Sequence, residues 1–358
     1  MIDNPARFVL ALPRPVAVEL PPRPVLPESL PHAECASATQ WVQTHGDRVK
    51  VLRWSGANAE SGPAAIRLSV VIPMYNEEAR VSGVLADSID YLRNQSFPTC
   101  LMLVDDGSSD RTSAIAVAML RAAPAGSLHT ATLVCHAVNR GKASAIRTGL
   151  WLASGAHRLV MDADGSTPLS EVRTLLDAAE ATGAGLVVGS RALRRDMVRQ
   201  SFKRHISHLL FRAWARANGF RTVRDSQCGF KLYRADVAEA LCAPGLGLSI
   251  TSGYEFDLEH IELSRRLGHR VQEVPVIWVD KPGSKVRLER DAVAMVRGVR
   301  RLRKRLASLP EGIVESKPSV VSGDTTTGRN LTDIPKSLGA FLLATHSTLQ
   351  PIPEALGM

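Results

Sequence analysis

The segment LVMDADGSTP, residues 159–168, decides the fold class of this chain. An apolar run ends in two carboxylates, Asp162 and Asp164, and Gly165 and Pro168 follow closely. Such a run is typical of a strand buried in a sheet, and open α/β sheets bind ligands where their strands end. Two neighbouring acids favour a hard cation such as Mg²⁺ or Mn²⁺, which is usually shared with substrate phosphates. Taken alone, the same residues also suit a solvated turn or a helix cap.

Two earlier segments repeat this pattern of strand, polar turn and helix. They are LSVVIPMYNEEARV, residues 68–81, and CLMLVDDGSSDRT, residues 100–112. The candidate residues at these two strand ends are Pro73, Tyr75, Glu77, Asp105 and Asp106. From residue 68 to about residue 188, strand-like runs alternate with helical ones, which is the pattern of βαβ units. The sequence therefore predicts an α/β fold with a mostly parallel, doubly wound, Rossmann-like sheet.

Six motifs along the chain carry a resemblance to a known family. They are IPMYNEE, VDDGSSDRT, NRGKASAIRTG, MDADGSTP, VGSR and DSQCGFKLYR, in this order. The set resembles family 2 nucleotide-sugar glycosyltransferases with the GT-A fold, and most of all their dolichyl-phosphate β-glucosyltransferase branch. The resemblance covers roughly residues 66–285.

The resemblance implies a donor site. The nucleobase and ribose would contact the strand-end residues Pro73, Tyr75, Glu77, Asp105 and Asp106, since such acids accept hydrogen bonds from an imide or from hydroxyls. Lys142 would meet a phosphate at a helix N-terminus, although it also suits a solvent-facing helix start. Asp162 would meet the ribose and Asp164 the metal. Related mannose synthases often carry an amide ligand where this chain has Ser166, which puts the third metal ligand in doubt.

Three further residues are candidates for catalysis. Arg191, in VGSR, would present a bidentate donor to the acceptor phosphate, and Lys231 would reach a phosphate. Asp257 lies at a predicted helix start where the family often carries a base. A phosphate monoester is already largely ionised at neutral pH, because its second pKa is about 6. Asp257 would then orient the sugar, and it would be a general base only for a hydroxyl acceptor.

The composition of the chain limits the classes of partner that are expected to bind it. The 358 residues include 44 Lys and Arg against 35 Asp and Glu, and this net charge of +9 suits an anionic partner. No zinc-finger or RNP-like motif is present and only 5% of residues are aromatic, so no nucleic-acid partner is expected. Five cysteines without CxxC spacing suit a reducing cytosol. Neither a signal peptide nor an apolar run long enough to span a membrane is recognised, so any membrane contact is expected to be peripheral.

Four segments are predicted. They are a proline-rich, largely disordered arm at 1–65, a GT-A domain at 66–285, a basic amphipathic helix at 286–308 and a disordered tail at 309–358. Within the arm, Trp41 and the apolar residues from Val49 to Trp54 are candidates to pack onto the core.

Two basic stretches, 199–216 and 287–306, place arginines beside apolar residues at helical spacing. Such helices suit the surface of an anionic membrane, although the first apolar stripe also suits a core, and the second stretch also fits nucleic acid or a calmodulin-like partner.

Together these features predict an inverting glycosyltransferase that moves glucose from UDP-glucose to a polyprenyl phosphate, with Mg²⁺ or Mn²⁺. It would work in the cytoplasm, peripherally at the inner face of a membrane. Three alternatives remain open. They are the same fold with GDP-mannose, a family 2 transferase with a soluble acceptor, and a non-catalytic nucleotide-sugar or membrane-binding module. The intact Asp-Ala-Asp argues against the last, and the oligomeric state is not predicted.

Overall fold

Strand β3, Leu68–Met74, is buried along its whole length, as is its neighbour β4, Thr99–Asp105. Apolar side chains point to both faces of each strand, which suits a sheet covered by helices on both sides. The computed structural model describes residues 38–44, 47–55, 66–124, 128–194, 198–199, 202–244, 248–251, 253, 255–281 and 288–308. The segments 1–37 and 309–358, for which disorder is predicted, lie outside the described residues.

The remaining strands and the helices follow in chain order. The strands are β1 Ala38–Thr44, β2 Asp47–Ser55, β5 Thr130–Cys135, β6 His157–Val160, β7 Leu186–Ser190, β8 Val198–Arg199, β9 Lys231–Arg234, β10 Val271–Pro275 and β11 Trp278–Val279. The helices are α1 Val81–Arg93, α2 Thr112–Ala122, α3 Lys142–Leu152, α4 Val172–Thr182, α5 Phe202–Ala217, α6 Ala235–Cys242, α7 Phe256–Arg266 and α8 Leu288–Ser308.

In the described part of the chain, nine strands form one sheet in the order β1-β2-β5-β4-β3-β6-β9-β7-β10, and β11 pairs with β8 apart from it. The five strands predicted from the sequence, β3 to β7, run in one direction, which confirms the α/β, GT-A-like fold. The sheet is more mixed than predicted, because β9 is inserted antiparallel between β6 and β7. This insertion brings Lys231, the first residue of β9, to the edge where the parallel strands end.

The arm predicted at residues 1–65 contains a hairpin. Strands β1 and β2 pair antiparallel, and β2 continues the sheet beside β5. In β2, Val49 and Val51 are buried in one core cluster, and Leu52 and Trp54 in the other. The disorder predicted for the arm therefore does not extend to these strands, because β2 buries apolar side chains on both faces of the sheet.

Two hydrophobic cores lie on opposite faces of the sheet. Helices α1, α2 and α4 contribute buried residues to one core, and helices α3, α5, α6, α7 and α8 contribute to the other. The C-terminal half of α8 contributes Val299, Leu302 and Leu306, which are at most 5% exposed. These residues were predicted to face a membrane or a partner. The structure corrects this, because they pack inside the protein. Among the described helices, none combines the length and apolar character needed to cross a bilayer.

His260 lies on α7 in the centre of the second core and is fully buried. Its Nδ1 lies 3.1 Å from the Tyr233 hydroxyl and its Nε2 lies 2.9 Å from the Ser249 hydroxyl. Burial lowers the pKa of the His260 imidazole to about 3, and the charges of Arg147 and Lys231 act in the same direction. The ring is therefore neutral in the folded protein.

This neutral histidine makes stability depend on pH. Between pH 6.5 and about 3, the unfolded chain binds a proton at position 260 and the folded chain does not, so stability falls as pH falls. We expect His260 to contribute about 1.4 kcal/mol per pH unit to this loss. Denaturant unfolding from pH 7 to pH 4.5 measures the slope, and His260→Gln should reduce it. Equal slopes in the two proteins would show that His260 is not the source.

Candidate active site

The loops that follow β3 and β4 are tied to each other by reciprocal hydrogen bonds. Asn76 accepts the amide of Ser109 on its Oδ1 at 2.9 Å, and its own amide donates to the Ser108 hydroxyl at 2.9 Å. Asn76 has a positive φ of 51°, which asparagine tolerates better than most residues. The amide of Glu77 donates to the Thr112 hydroxyl at 2.7 Å. The two strand ends therefore form one rigid rim.

The acids of the β4 end lie inside this rim. Asp105 is 3% exposed, and its two carboxylate oxygens accept hydrogen bonds from Ser108 and Ser113. Asp106 is 2% exposed and accepts hydrogen bonds from the amides of Arg140 at 3.0 Å and Gly141 at 2.7 Å. Both carboxylates therefore hold loops. The nucleobase or ribose contacts predicted for them stay a prediction.

A buried histidine completes the Asp106 network. His136 Nδ1 lies 2.7 Å from the Asp106 carboxylate, and its Nε2 lies 3.1 Å from the Thr148 hydroxyl on α3. Gly107 is also required here, because a Cβ at this position would lie 2.5 Å from the Val138 carbonyl carbon. This network fixes the loop that leads into α3. Sequence reasoning missed the role of His136, whose only signal was its place directly after β5.

Lys142, the first residue of α3, lies beside the Asp-Ala-Asp turn. Its ammonium lies 2.6 Å from Asp162 Oδ1, and both side chains remain partly exposed. Burial lowers the pKa of Lys142, but the carboxylates of Asp162 and Asp257 outweigh this effect and raise it. Lys142 is therefore a cation at the N-terminus of a helix, where the backbone amides also favour an anion.

Gly229 explains the glycine of the DSQCGFK motif. A Cβ at this position would lie 2.1 Å from Asp162 Oδ2, which is closer than any real contact. The backbone ahead of β9 therefore approaches the Asp162 carboxylate as only glycine allows. The sequence predicted a turn here and gave no sign of this approach.

Asp257 and Lys231 form a buried ion pair. The Lys231 side chain is 2% exposed, and its ammonium contacts the Asp257 carboxylate and the Cys228 carbonyl. Burial raises the pKa of the Asp257 carboxyl, whereas Lys231 and Lys142 oppose the rise. Lys231 was expected to reach a phosphate. The structure places it as the charge partner of Asp257, and its contact with a phosphate stays a prediction.

Arg191 is held by a carboxylate that sequence reasoning left without a role. Its Nε and Nη2 donate to the two oxygens of Asp225 at 2.7 and 2.8 Å, and its backbone amide donates to the same carboxylate. The guanidinium also lies over the ring of Trp278, 5.5 Å from the centroid. This fork was predicted to bind an acceptor phosphate. In the structure it holds the loop after β7 through Asp225, and its contact with a phosphate stays a prediction. The side chains of Arg195, Arg199, Lys203 and Arg204, from the same basic cluster, lie outside the described residues.

A cavity of about 610 Å³ opens beside Asp164. Glu77 and Arg80 line it together with Lys281, and the Glu77 carboxylate is paired with Arg80. Tyr75, on the same loop as Glu77, is 38% exposed, whereas Pro73 is buried within β3. Of the donor-site residues predicted at the end of β3, Glu77 therefore lines this cavity and Tyr75 lies on the same loop. Pro73 lies within the sheet.

The Asp-Ala-Asp turn fits a hard divalent cation. Asp164 and Asp162 offer carboxylate oxygens, and Asp164 Oδ1 also accepts the amide of Ser166 at 2.9 Å. Within the described ranges, no group of three or more His, Cys, Asp or Glu side chains is arranged to hold a metal. Two carboxylates suit Mg²⁺ or Mn²⁺, which complete their shell with water and substrate phosphates. Ser166 is 4% exposed, and it contacts the turn through its backbone amide.

Sequence comparisons agree with these motifs. The family model "Glycosyl transferase family 2" matches residues 69–242. A dolichyl-phosphate beta-glucosyltransferase of Saccharomyces cerevisiae is 31% identical over 260 residues, which cover 67% of this chain and 75% of that protein. A protein of the same name from Dictyostelium discoideum is 30% identical over 249 residues, covering 66% of this chain and 74% of that protein. The human protein of this name is 31% identical over 232 residues, with coverages of 62% and 69%.

Solved structures share the fold. Glucosyl-3-phosphoglycerate synthase from Mycobacterium tuberculosis, in complex with Mn²⁺, UDP-glucose and phosphoglyceric acid, superimposes with a TM-score of 0.50 and 21% identity. The match covers 80% of this chain and 95% of that chain. At this identity the likeness concerns the fold alone.

The contact between Gly229 and Asp162 generates a prediction. Gly229→Ala should push the Asp162 carboxylate away from Lys142, because the added methyl would occupy its position. A crystal structure of the variant should show the two charged groups separated by more than about 3.5 Å, the limit of a direct hydrogen bond.

Gly83→Ala is the matched control. Gly83 lies within α1, and no atom lies within 4 Å of its added Cβ. This change should leave Asp162 in place and stabilise the protein by up to about 1 kcal/mol. An unmoved Asp162 in Gly229→Ala would contradict the predicted displacement.

Proposed function

Because this chain belongs to glycosyl transferase family 2, we propose that it transfers glucose from UDP-glucose to a polyprenyl phosphate and inverts the anomeric configuration. The proposal rests on the ion pair between Lys142, the first residue of α3, and Asp162, which lies beside Asp164 in the Asp-Ala-Asp turn. The choice of glucose and of a lipid phosphate is supported by the names of the relatives, which match about three quarters of their own length.

The proposed reaction is a single displacement. An oxygen of the acceptor phosphate attacks the anomeric carbon of glucose, and the bond from that carbon to the nucleotide diphosphate breaks. Negative charge grows on the leaving diphosphate, and Lys142 with the amides at the start of α3 would stabilise it. Asp164, with Asp162, would hold Mg²⁺ or Mn²⁺, which when bound would neutralise further diphosphate charge.

Asp257 has an orienting role in this proposal. A phosphate monoester with a second pKa of about 6 is already nucleophilic at neutral pH and needs no general base. Asp257 is held by Lys231, and its charge also acts on Lys142. It would therefore orient the sugar near Lys142. With a hydroxyl acceptor, Asp257 would have to accept a proton.

The test is transfer from a panel of nucleotide sugars. UDP-glucose, GDP-mannose and other donors would be incubated with polyprenyl phosphate or with soluble acceptors, including phosphorylated acids, in Mg²⁺ or Mn²⁺. Glycosylated lipid would be measured after extraction. We expect labelled lipid from UDP-glucose and its loss in EDTA. Asp164→Ala should reduce turnover at least about a hundredfold while the fold persists.

Asp177→Ala provides the control, since Asp177 is an exposed acid on α4 paired only on the surface with Arg173. It should keep wild-type turnover. Transfer from GDP-mannose alone would replace the proposed donor, and transfer to a soluble acceptor alone would replace the proposed acceptor. Donor binding without transfer or hydrolysis would favour a non-catalytic module.

We also propose that the protein meets its lipid acceptor as a peripheral membrane protein, at the cytosolic face. With the apolar residues of α8 buried, support for this contact comes from α5. There, Leu209 and Leu210 are 44% and 65% exposed. Arg212 and Arg216 line a cavity of about 530 Å³ next to them, together with Arg224. Apolar side chains beside arginines suit the interface of an anionic bilayer.

Liposome flotation tests this contact. Binding should require anionic lipid and weaken at high salt, because the reach of surface charge is about 8 Å at physiological ionic strength. Replacing Leu209 and Leu210 by Asn should reduce binding, whereas Ile277→Asn, at a residue 39% exposed elsewhere, should not. Equal flotation of the two variants would remove α5 from the membrane contact.

A further inference from the structure

Helix α8 packs against α7, the helix that carries Asp257. Val299, Leu302 and Leu306 of α8 lie in the same buried cluster as Phe256 and Leu258 of α7. Gly298 allows a close approach, since a Cβ there would lie 2.2 Å from the Glu255 carboxylate. The C-terminal half of α8 and the start of α7 therefore lie close together in the same core.

Two ion pairs connect the same helices. Arg301 Nη2 lies 3.4 Å from Glu255, and Arg305 contacts Glu259, whose side chain is fully buried. Glu255 and Glu259 are one turn apart on α7, and Arg301 and Arg305 are one turn apart on α8. The two ion pairs therefore occur in the same order along both helices. They fix the position of α8 along the axis of α7. Asp257 lies between the two glutamates.

Glu259 extends this connection to a loop. Its carboxylate accepts hydrogen bonds from the hydroxyls of Ser249 and Thr251, both at 2.8 Å. Arg305 also donates to the Leu248 carbonyl at 2.6 Å, so the arginine holds the loop as well as the helix. Because Ser249 and Thr251 would remain as donors if Arg305 were replaced, the Glu259 charge would keep partners and the fold should persist.

We propose that α8 clamps α7 and that Arg305 is a positioning residue for Asp257 in the transfer reaction. Asp257 reaches Lys231 on β9, and the charges of Lys142 on α3 and of Asp162 act on it. A small rotation of α7 would change all of these distances together. The clamp rests on the proposed function for its effect on turnover, whereas its effect on α7 can be measured without any substrate.

The experiment compares Arg305→Met, Arg305→Lys and the control Arg303→Met. Arg303 is exposed on the same helix. A short-chain, water-soluble polyprenyl phosphate serves as acceptor, so membrane binding does not affect the result. Arg305→Met should lower kcat about tenfold and leave both KM values within about twofold, as misplacement of a catalytic group predicts. Arg305→Lys should recover part of the loss, since it keeps the charge without the planar fork. Arg303→Met should match the wild type.

A further measurement separates positioning from a general loss of stability. Hydrogen exchange should become faster in residues 255–260 of Arg305→Met, and not in residues 68–74 of the central strand β3. Unchanged kcat, or a uniform rise in exchange across the protein, would overturn the clamp. If the wild type transfers no sugar to a lipid phosphate, the proposed function fails, and the exchange data still decide whether α8 holds α7.

Discussion

The buried ammonium of Lys231 depends on the carboxylate of Asp257. A lone charge is too costly in a protein interior, and removing one member of a buried pair costs about 3–5 kcal/mol. Strand β9 therefore inserts between β6 and β7 only in the register that brings Lys231 to the first turn of α7. The same register places Gly229 against Asp162. One pair thus holds strand β9 and helix α7 together, next to the Asp-Ala-Asp turn.

Much of the sheet could be predicted because its signals are local. The apolar composition of residues 68–74 and 99–105 predicts that both strands are buried, and polar residues mark where each strand ends. The insertion of β9 could not be predicted in this way, since four residues of KLYR do not indicate their neighbours. The burial of the apolar residues of α8 could not be predicted for the same reason. Its stripe of Val299, Leu302 and Leu306 is equally compatible with a membrane and with a core, and only the position of α7 decides between them.

The sequence could predict where several residues of the candidate site lie. Asp162, Lys142 and Asp257 meet at the edge where the parallel strands end, as the motifs indicate. Asp105 and Asp106 lie at the same edge, but serine hydroxyls and backbone amides occupy their oxygens. A sequence shows that an acid ends a strand. It does not show which donors will surround the acid, and the donors to Asp106 come from a loop more than thirty residues away.

The hairpin of β1 and β2 has a consequence for how the molecule behaves when shortened. Strand β2 covers the backbone of β5 from residue 130 to residue 135. The match to the family begins only at residue 69, so a chain trimmed to that boundary would lose the hairpin and bare β5. An uncovered, apolar edge strand is a template for pairing with another molecule. The hairpin of β1 and β2, which precedes the family match, would therefore protect β5 from pairing with another molecule.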